Sequence, residues 1–254
     1  MQLTILGCGA SMGVPTIGCE CSVCTSDDPR NRRTRTAALL TSGSTTILID
    51  PGPDFRQQAL RHRIRRLDAV LVTHAHQDHI GGLDDVRPIN FAMGQPLPLY
   101  GTPPTLKRIR HQFDYAFADG PSASTRPQLE LHTLTDQPFA INDLTITPLP
   151  IYHGDWRILG FRFGNLAYIT DVSAIPDQTF ALLDDVAVVV LGALRYERPH
   201  PLHFTVEQAL LAIERIGPRQ AFLTHLAHEL DYAATNAALP PPTQLAHDGL
   251  VIEG

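Results

Sequence analysis

The chain has 254 residues, 43% of them hydrophobic and 18% charged, with a formal net charge of −6. That length can bury a sizeable core, and no apolar run approaches the ~20 residues that a bilayer span needs. The acidic balance speaks against a general nucleic-acid binder, which carries a basic face.

Met1–Gly7 lacks a basic start and a long apolar centre, so it reads as a first strand and not a signal peptide, and a cytoplasmic protein is expected. The strand Leu3–Leu6 runs into Gly7-Cys8-Gly9-Ala10-Ser11-Met12-Gly13-Val14-Pro15. Pro15 and Gly18 interrupt the helix that a dinucleotide fingerprint requires, so this is a loop lying close to a site. Cys8 stands apart and reads as a small buried side chain. Cys19, Cys21 and Cys24 are crowded too closely for an orthodox set of disulfides and favour a metal. Three thiolates can wrap one tetrahedral zinc, but a closed site needs a fourth ligand. No fourth cysteine lies nearby, so a distant histidine should supply it; free loop thiols are the alternative.

Thr36–Thr41 and Thr45–Asp50 read as a hairpin about Ser42-Gly43-Ser44. Asp54 then caps a helix that turns Phe55, Ala59 and Leu60 inward. The arginines at 30, 32, 33, 35, 61, 63, 65 and 66 read mostly as solvated faces. Asp68–Thr73 is a buried strand that stops at His74, His76, Asp78 and His79, followed by Gly81 and Gly82. Three imidazoles and a carboxylate from one strand end are metal-ligand chemistry, and the glycines suit a tight turn or a close backbone approach. Asp50 also ends a strand. It either orients a metal-bound imidazole from behind or serves the strand end alone.

Leu97–Tyr100 reads as a strand, a helix follows Thr102-Pro103-Pro104, and 119–128 is a loop placed near substrate. The opening pattern then returns. Leu144–Tyr152 ends in His153, Leu166–Thr170 in Asp171, and Gln220–Thr224 in His225. Open α/β sheets place their sites where strands end, and four such endings point to one centre. Helices are expected at Pro176–Leu183 and Phe204–Gly217, the second with a Thr205/Gln208 capping box, around a central strand Val186–Leu191. Leu250–Ile252 reads as an edge strand. His62, His111, His132, His200 and His247 read as surface or packing residues, with His200 the best exception because it shares a loop with His203.

His-x-His-x-Asp-His, followed downstream by a lone His, an Asp and a His, resembles the metallo-β-lactamase superfamily over essentially the whole chain. Gly-x-Gly-x-x-x-Gly-Val-Pro, Cys-x-Cys-x-x-Cys and Leu-Thr-His-Leu-Ala-His narrow the resemblance to the PhnP group of phosphoribosyl cyclic phosphate phosphodiesterases. The resemblance implies an α/β fold, a four-layered αββα sandwich, as a single hydrolase domain over 1–254 with a zinc loop at 18–24. It implies that His74, His76 and His153 hold one divalent metal and Asp78, His79 and His225 another, with Asp171 bridging. The metals would be Mn²⁺ or Zn²⁺. It implies a structural Zn²⁺ on Cys19, Cys21, Cys24 and His228. Asp78 and His203 are the catalytic candidates, His203 as general acid with an intrinsic pKa near 6.5. The implied reaction is hydrolysis of a cyclic phosphate diester of ribose or a nucleoside by a metal-bound hydroxide, in a homodimer. Two alternatives stay open: a same-fold hydrolase of a lactone, thioester or RNA end, and a non-catalytic metal-binding accessory protein. The loop 195–201 and the segment 52–58 depart from the phosphonate enzymes, so the substrate is not read from the resemblance.

Overall fold

The computed structural model describes residues 1–118, 120 and 125–254. Residues 119 and 121–124 of the expected substrate loop lie outside them. The first half contributes β1 (Gln2–Gly7), β2 (Ala37–Ser42), β3 (Thr45–Ile49), β4 (Ala69–Leu71), β5 (Leu97–Gly101) and β6 (Leu129–Thr133). The second contributes β7 (Phe139–Ile141), β8 (Leu144–His153), β9 (Trp156–Phe163), β10 (Leu166–Ile169), β11 (Val188–Gly192), β12 (Gln220–Thr224) and β13 (Thr243–Leu245). The last strand, β14 (Val251–Glu253), returns to the edge of the first sheet. Among the described residues this makes two seven-stranded sheets, ordered β14-β1-β2-β3-β4-β5-β6 and β13-β12-β11-β10-β9-β8-β7.

Period-two alternation explains the layering. Ile47, Ile49, Ala69 and Leu71 face inward onto Phe161, Phe163, Tyr168 and Val189 of the opposite sheet. Leu48 and Val70, between them in sequence, face outward. There they meet α1 (Phe55–Arg61), α2 (Gln77–Ile80), α3 (Arg87–Met93) and α4 (Pro103–Gln112) through Phe55, Ile80, Ile89 and Ile109. On the other side lie α5 (Asp177–Ala181), α6 (Val206–Ile216) and α7 (Tyr232–Ala238). The stripe Val206, Ala209, Ala212 and Ile213 of α6 is buried. The result is helix, sheet, sheet, helix: the αββα sandwich. From the middle of each sheet to one edge the strands run parallel, β3 to β6 in one and β10 to β13 in the other, so several strands of each sheet end on a common side.

Several local expectations change. Leu60 is 63% exposed, because the seven-residue α1 turns Phe55 and Gln58 inward instead. Asp54 makes no side-chain cap; its carboxylate accepts from the Arg35 backbone N–H at 2.8 Å and from Arg35 Nη1 at 3.0 Å. Arg33 is buried, not solvated: its guanidinium donates to Ala227 O, Leu230 O and Asn31 Oδ1. The capping box of α6 is present, with Gly217 as its left-handed C-cap. Gly82 is a close approach, since a Cβ there would stand 2.1 Å from Gly52 O.

Candidate metal centre

Strand ends deliver the side chains. His74, His76, Asp78 and His79 follow β4 into α2, His153 ends β8, and Asp171 and His225 follow β10 and β12. Asp50, Asp171 and His225 adopt φ of +54°, +52° and +58°. This left-handed backbone is uncommon for non-glycine residues and costs energy; it clusters at functional sites. Here it turns three side chains off their strands at one edge.

The donors form two overlapping groups, His74, His76, His153 and Asp171, and Asp78, His79, Asp171 and His225. Within each, one ligand atom per residue lies within 4.8 Å of all the others. His79 Nε2 is 3.2 Å from Asp171 Oδ1 and 3.4 Å from Asp78 Oδ2. His225 Nε2 is 3.3 Å from Asp171 Oδ2 and 3.7 Å from Asp78 Oδ2, and His74 Nε2 is 3.9 Å from Asp171 Oδ2. None of these Nε2 atoms, nor that of His153, has an aligned hydrogen-bond partner, although all are buried. Ligands about 2.0–2.2 Å from a tetrahedral cation would stand about 3.4 Å apart. The observed spacing and the buried, unpartnered nitrogens both fit divalent cations.

The Nδ1 atoms show why the Nε2 lone pairs face inward. Asp50, fully buried, accepts from the Thr73 backbone N–H at 2.8 Å, Thr73 Oγ1 at 2.7 Å and His79 Nδ1 at 2.8 Å. Thr73 Oγ1, having given its proton to Asp50, accepts from His74 Nδ1 at 3.0 Å. His153 Nδ1 donates to Leu202 O at 2.7 Å. In each case the Nδ1–H is committed and Nε2 is left as the basic atom. The geometry thus sides with the orienting alternative for Asp50. Thr73 was missed by the sequence reading; its position between strand and first histidine was the available signal.

Charge matches this arrangement. Burial works against ionised Asp171, but His225 and His79 hold its carboxyl well below the ordinary range. Asp78 is likewise lowered against its burial by the neighbouring His225 and His79. Burial also opposes protonated His79, yet Asp171 and Asp50 raise it well above its ordinary value. Burial lowers His74 well below its own. Two ionised carboxylates facing clustered imidazoles form an electronegative cage suited to hard or borderline cations.

His203 lies at the same edge, its ring 4.7 Å from and stacked on that of His225, and 4.8 Å from that of His153. Burial and then His225 push its pKa down to about 3. The surroundings thus shift it below the intrinsic value near 6.5 and favour the neutral imidazole. His200 stands 5.0 Å from His203, ring to ring. Both line a cavity of about 370 Å³ with His76, Asp78, Arg195 and Ser11. Arg195 gave no signal in the sequence beyond lying in the unread loop.

A second cluster lies nearby. Cys19, Cys21 and Cys24 Sγ stand 3.3, 3.4 and 3.6 Å from His228 Nδ1. The edge of a tetrahedral zinc site with these donors is about 3.6 Å. The Cys24 backbone N–H and His228 lower the Cys21 thiol to about 6. Arg33 fixes the segment that carries His228, through the carbonyls of Ala227 and Leu230. Cys8 is buried and outside the cluster, as expected. Of the remaining histidines, His62 is partly buried with its pKa lowered by burial, and His132 pairs with Glu130 at 3.1 Å.

Residues 45–226 match the model of the beta-lactamase superfamily domain. A protein of Porphyromonas gingivalis named octanoyltransferase is 42% identical over 253 residues, covering 98% of this chain and 51% of that protein. The chain spans about half the length of the curated relatives it matches. A solved structure described as a new diphosphatase from the PhnP family has 41% identity and a TM-score of 0.93, covering 100% of this chain and 97% of that one. Zinc-bound PqqB from Methylobacterium extorquens shares the fold at 22% identity and a TM-score of 0.79, covering all of both chains.

Proposed function

This chain belongs to the beta-lactamase superfamily and is a metal-dependent hydrolase of that fold, and on that premise we propose that it is a phosphodiesterase acting on a cyclic phosphate of ribose or a nucleoside. The observation that carries the reading is the pair of donor groups sharing Asp171, all nitrogen and oxygen, at one edge of the sandwich. Two divalent cations, Mn²⁺ or Zn²⁺, held by His74, His76 and His153 and by Asp78, His79 and His225 with Asp171 shared, would supply a nucleophile at neutral pH and charge compensation on phosphorus.

The chain's own residues do the rest. Asp50, Thr73 and Leu202 O hold three imidazoles in the tautomer that leaves Nε2 basic. Asp78 and Asp171 stay ionised. A cyclic diester expels a sugar alkoxide, which needs a proton. His203 borders the cavity and is the proposed donor. Neutral in the free site, it takes up a proton when a phosphate anion beside it raises its pKa, and passes that proton to the leaving oxygen. Arg195 in the same cavity can meet an anionic oxygen. The whole of 1–254 is proposed as one hydrolase domain, with Cys19, Cys21, Cys24 and His228 holding a structural zinc. Homodimerisation is proposed on the same footing, with Ile17 95% and Met12 60% exposed beside the cysteine loop; sedimentation tests it.

Among the described residues no helix is long and apolar enough to cross a membrane. Assay of bis(p-nitrophenyl) phosphate and 2′,3′-cyclic nucleotides, beside a lactone and a thioester, tests the bond. Turnover of the diesters alone is expected; absence of diester turnover in Mn²⁺-loaded protein refutes the reading. The thioester arm is the second reading, favoured by the octanoyltransferase name of the 42%-identical relative.

A further inference from the structure

A second cavity of about 400 Å³ borders the metal centre at His74 and is walled by Trp156. That volume is within the ~300–1,000 Å³ of small-molecule sites. Ile158 and Ala75, both buried, and Pro104 give it apolar lining, and Arg108 of α4 and Arg157 of β9 line it as well. Trp156 is half exposed, at 50%, and lines the cavity. It is not on a free loop. The β8–β9 register sets Trp156 directly opposite His153. Its ring is 5.0 Å from that of His76, which also lines the 370 Å³ cavity.

The two cavities thus both border one centre, one at His76, Asp78 and His225 and the other at His74. One presents Arg195, His200 and His203, and the other an indole wall with apolar lining. A diester with phosphorus at His76 can extend a different arm into each. We infer that the Trp156 cavity is a subsite for a planar heterocycle, so that the substrate is a base-bearing nucleoside phosphodiester and not a bare sugar phosphate. Stacking suits the indole because every base has a π-face, while the neighbouring guanidinium groups favour an electron-rich ring. Thr102 and Thr105, whose hydroxyls lie 2.9 Å apart in the same lining, offer polar atoms to ring edges. The inference rests on the phosphodiester reading for its substrate, but not for its binding test.

Trp156 is the only tryptophan in the chain, so its fluorescence reports on this cavity directly. Titration of the full chain with adenosine 5′-monophosphate is expected to quench it saturably, and ribose 5-phosphate is not. No quenching by the nucleotide, or equal quenching by the sugar phosphate, overturns the subsite. In kinetics, the preference for 2′,3′-cyclic AMP over a base-free ribose cyclic phosphate, as a ratio of kcat/KM, should fall about tenfold or more in Trp156→Ala. Trp156→Phe, which keeps an aromatic face, should restore most of it. An unchanged ratio in Trp156→Ala also overturns the inference. If the wild-type chain turns over neither diester, the phosphodiester reading fails, and the fluorescence titration alone decides the subsite.

Discussion

Asp50→Asn and Asp50→Ala together test the support of the metal centre most directly. The carboxylate is fully buried and accepts three bonds, from Thr73 N, Thr73 Oγ1 and His79 Nδ1, at 2.7–2.8 Å. An asparagine of the same shape can keep its oxygen on His79, but its amide nitrogen then faces the Thr73 backbone N–H, donor against donor. One buried unsatisfied donor costs about 1–3 kcal/mol. That is a large share of a typical ~5–15 kcal/mol of total stability. Asp50→Ala strands both obligate donors, Thr73 N–H and His79 Nδ1–H, and should cost about 2–6 kcal/mol at the same rate per group. The functional effect is separate: loss of the partner behind a metal-bound imidazole lowers metal affinity about 10–100-fold. Competition with a chelator, followed by elemental analysis, reads that affinity, and denaturant unfolding reads stability. For Asp50→Ala the expected result is loss of metal from the histidine centre, with the zinc proposed on the cysteine cluster retained. If Asp50→Ala unfolds more easily yet holds every metal at wild-type affinity, Asp50 serves only the strand end, and the orienting role is refuted.

His203→Ala should slow substrates that expel an alkoxide by about 10²–10⁴-fold and p-nitrophenyl esters far less, because nitrophenolate needs little protonation; equal losses in steady-state assays refute the proton-donor role. Elemental analysis should find about three metals per chain, two of them at the histidine centre. Cys19→Ser should remove one and lower the melting temperature while two remain; loss of all three would make the sites one unit. Asp248 is buried, and burial raises its pKa in the folded state above 3.8 despite the bonds from Thr34 and Cys8. The folded chain therefore binds this proton more tightly than the unfolded chain. Its contribution to stability is present below the unfolded pKa and is lost as pH rises through the raised folded one. Denaturant unfolding of the metal-free chain should show that slope above pH 3.8, and Asp248→Asn should flatten it; an unchanged slope refutes the assignment.

The donor residues were legible because strand ends are legible. An apolar run that halts at a histidine or aspartate carries its own local signal, and four such runs ended at His74, His153, Asp171 and His225. The missing fourth partner of the cysteine loop was legible as a need, and His228 as its answer only through resemblance. What lay in extended register was harder to read. β9 and the strands β6, β7 and β13 escaped, since short strands owe their stability to neighbours distant in sequence. Leu60 was placed inward by helical spacing, but a seven-residue helix on a curved sheet buries only a narrow stripe.

Sequence pattern alone marked the strand ends that bear donor side chains, a short-range signal within a few residues of each strand; the fold class and the grouping of the donors came from the family resemblance of the motifs. Tertiary structure decided the rest. Whether Asp50 orients an imidazole depends on Thr73 and His79 meeting it across two strands. The neutral state of His203 depends on burial against His225, which lies 22 positions later in the chain and adjacent only in space. Trp156 is one indole in a hairpin until folding sets it beside His76 and opens a cavity against α4. Protonation state, tautomer and cavity shape are set by what surrounds a group in three dimensions, and local pattern does not encode those surroundings.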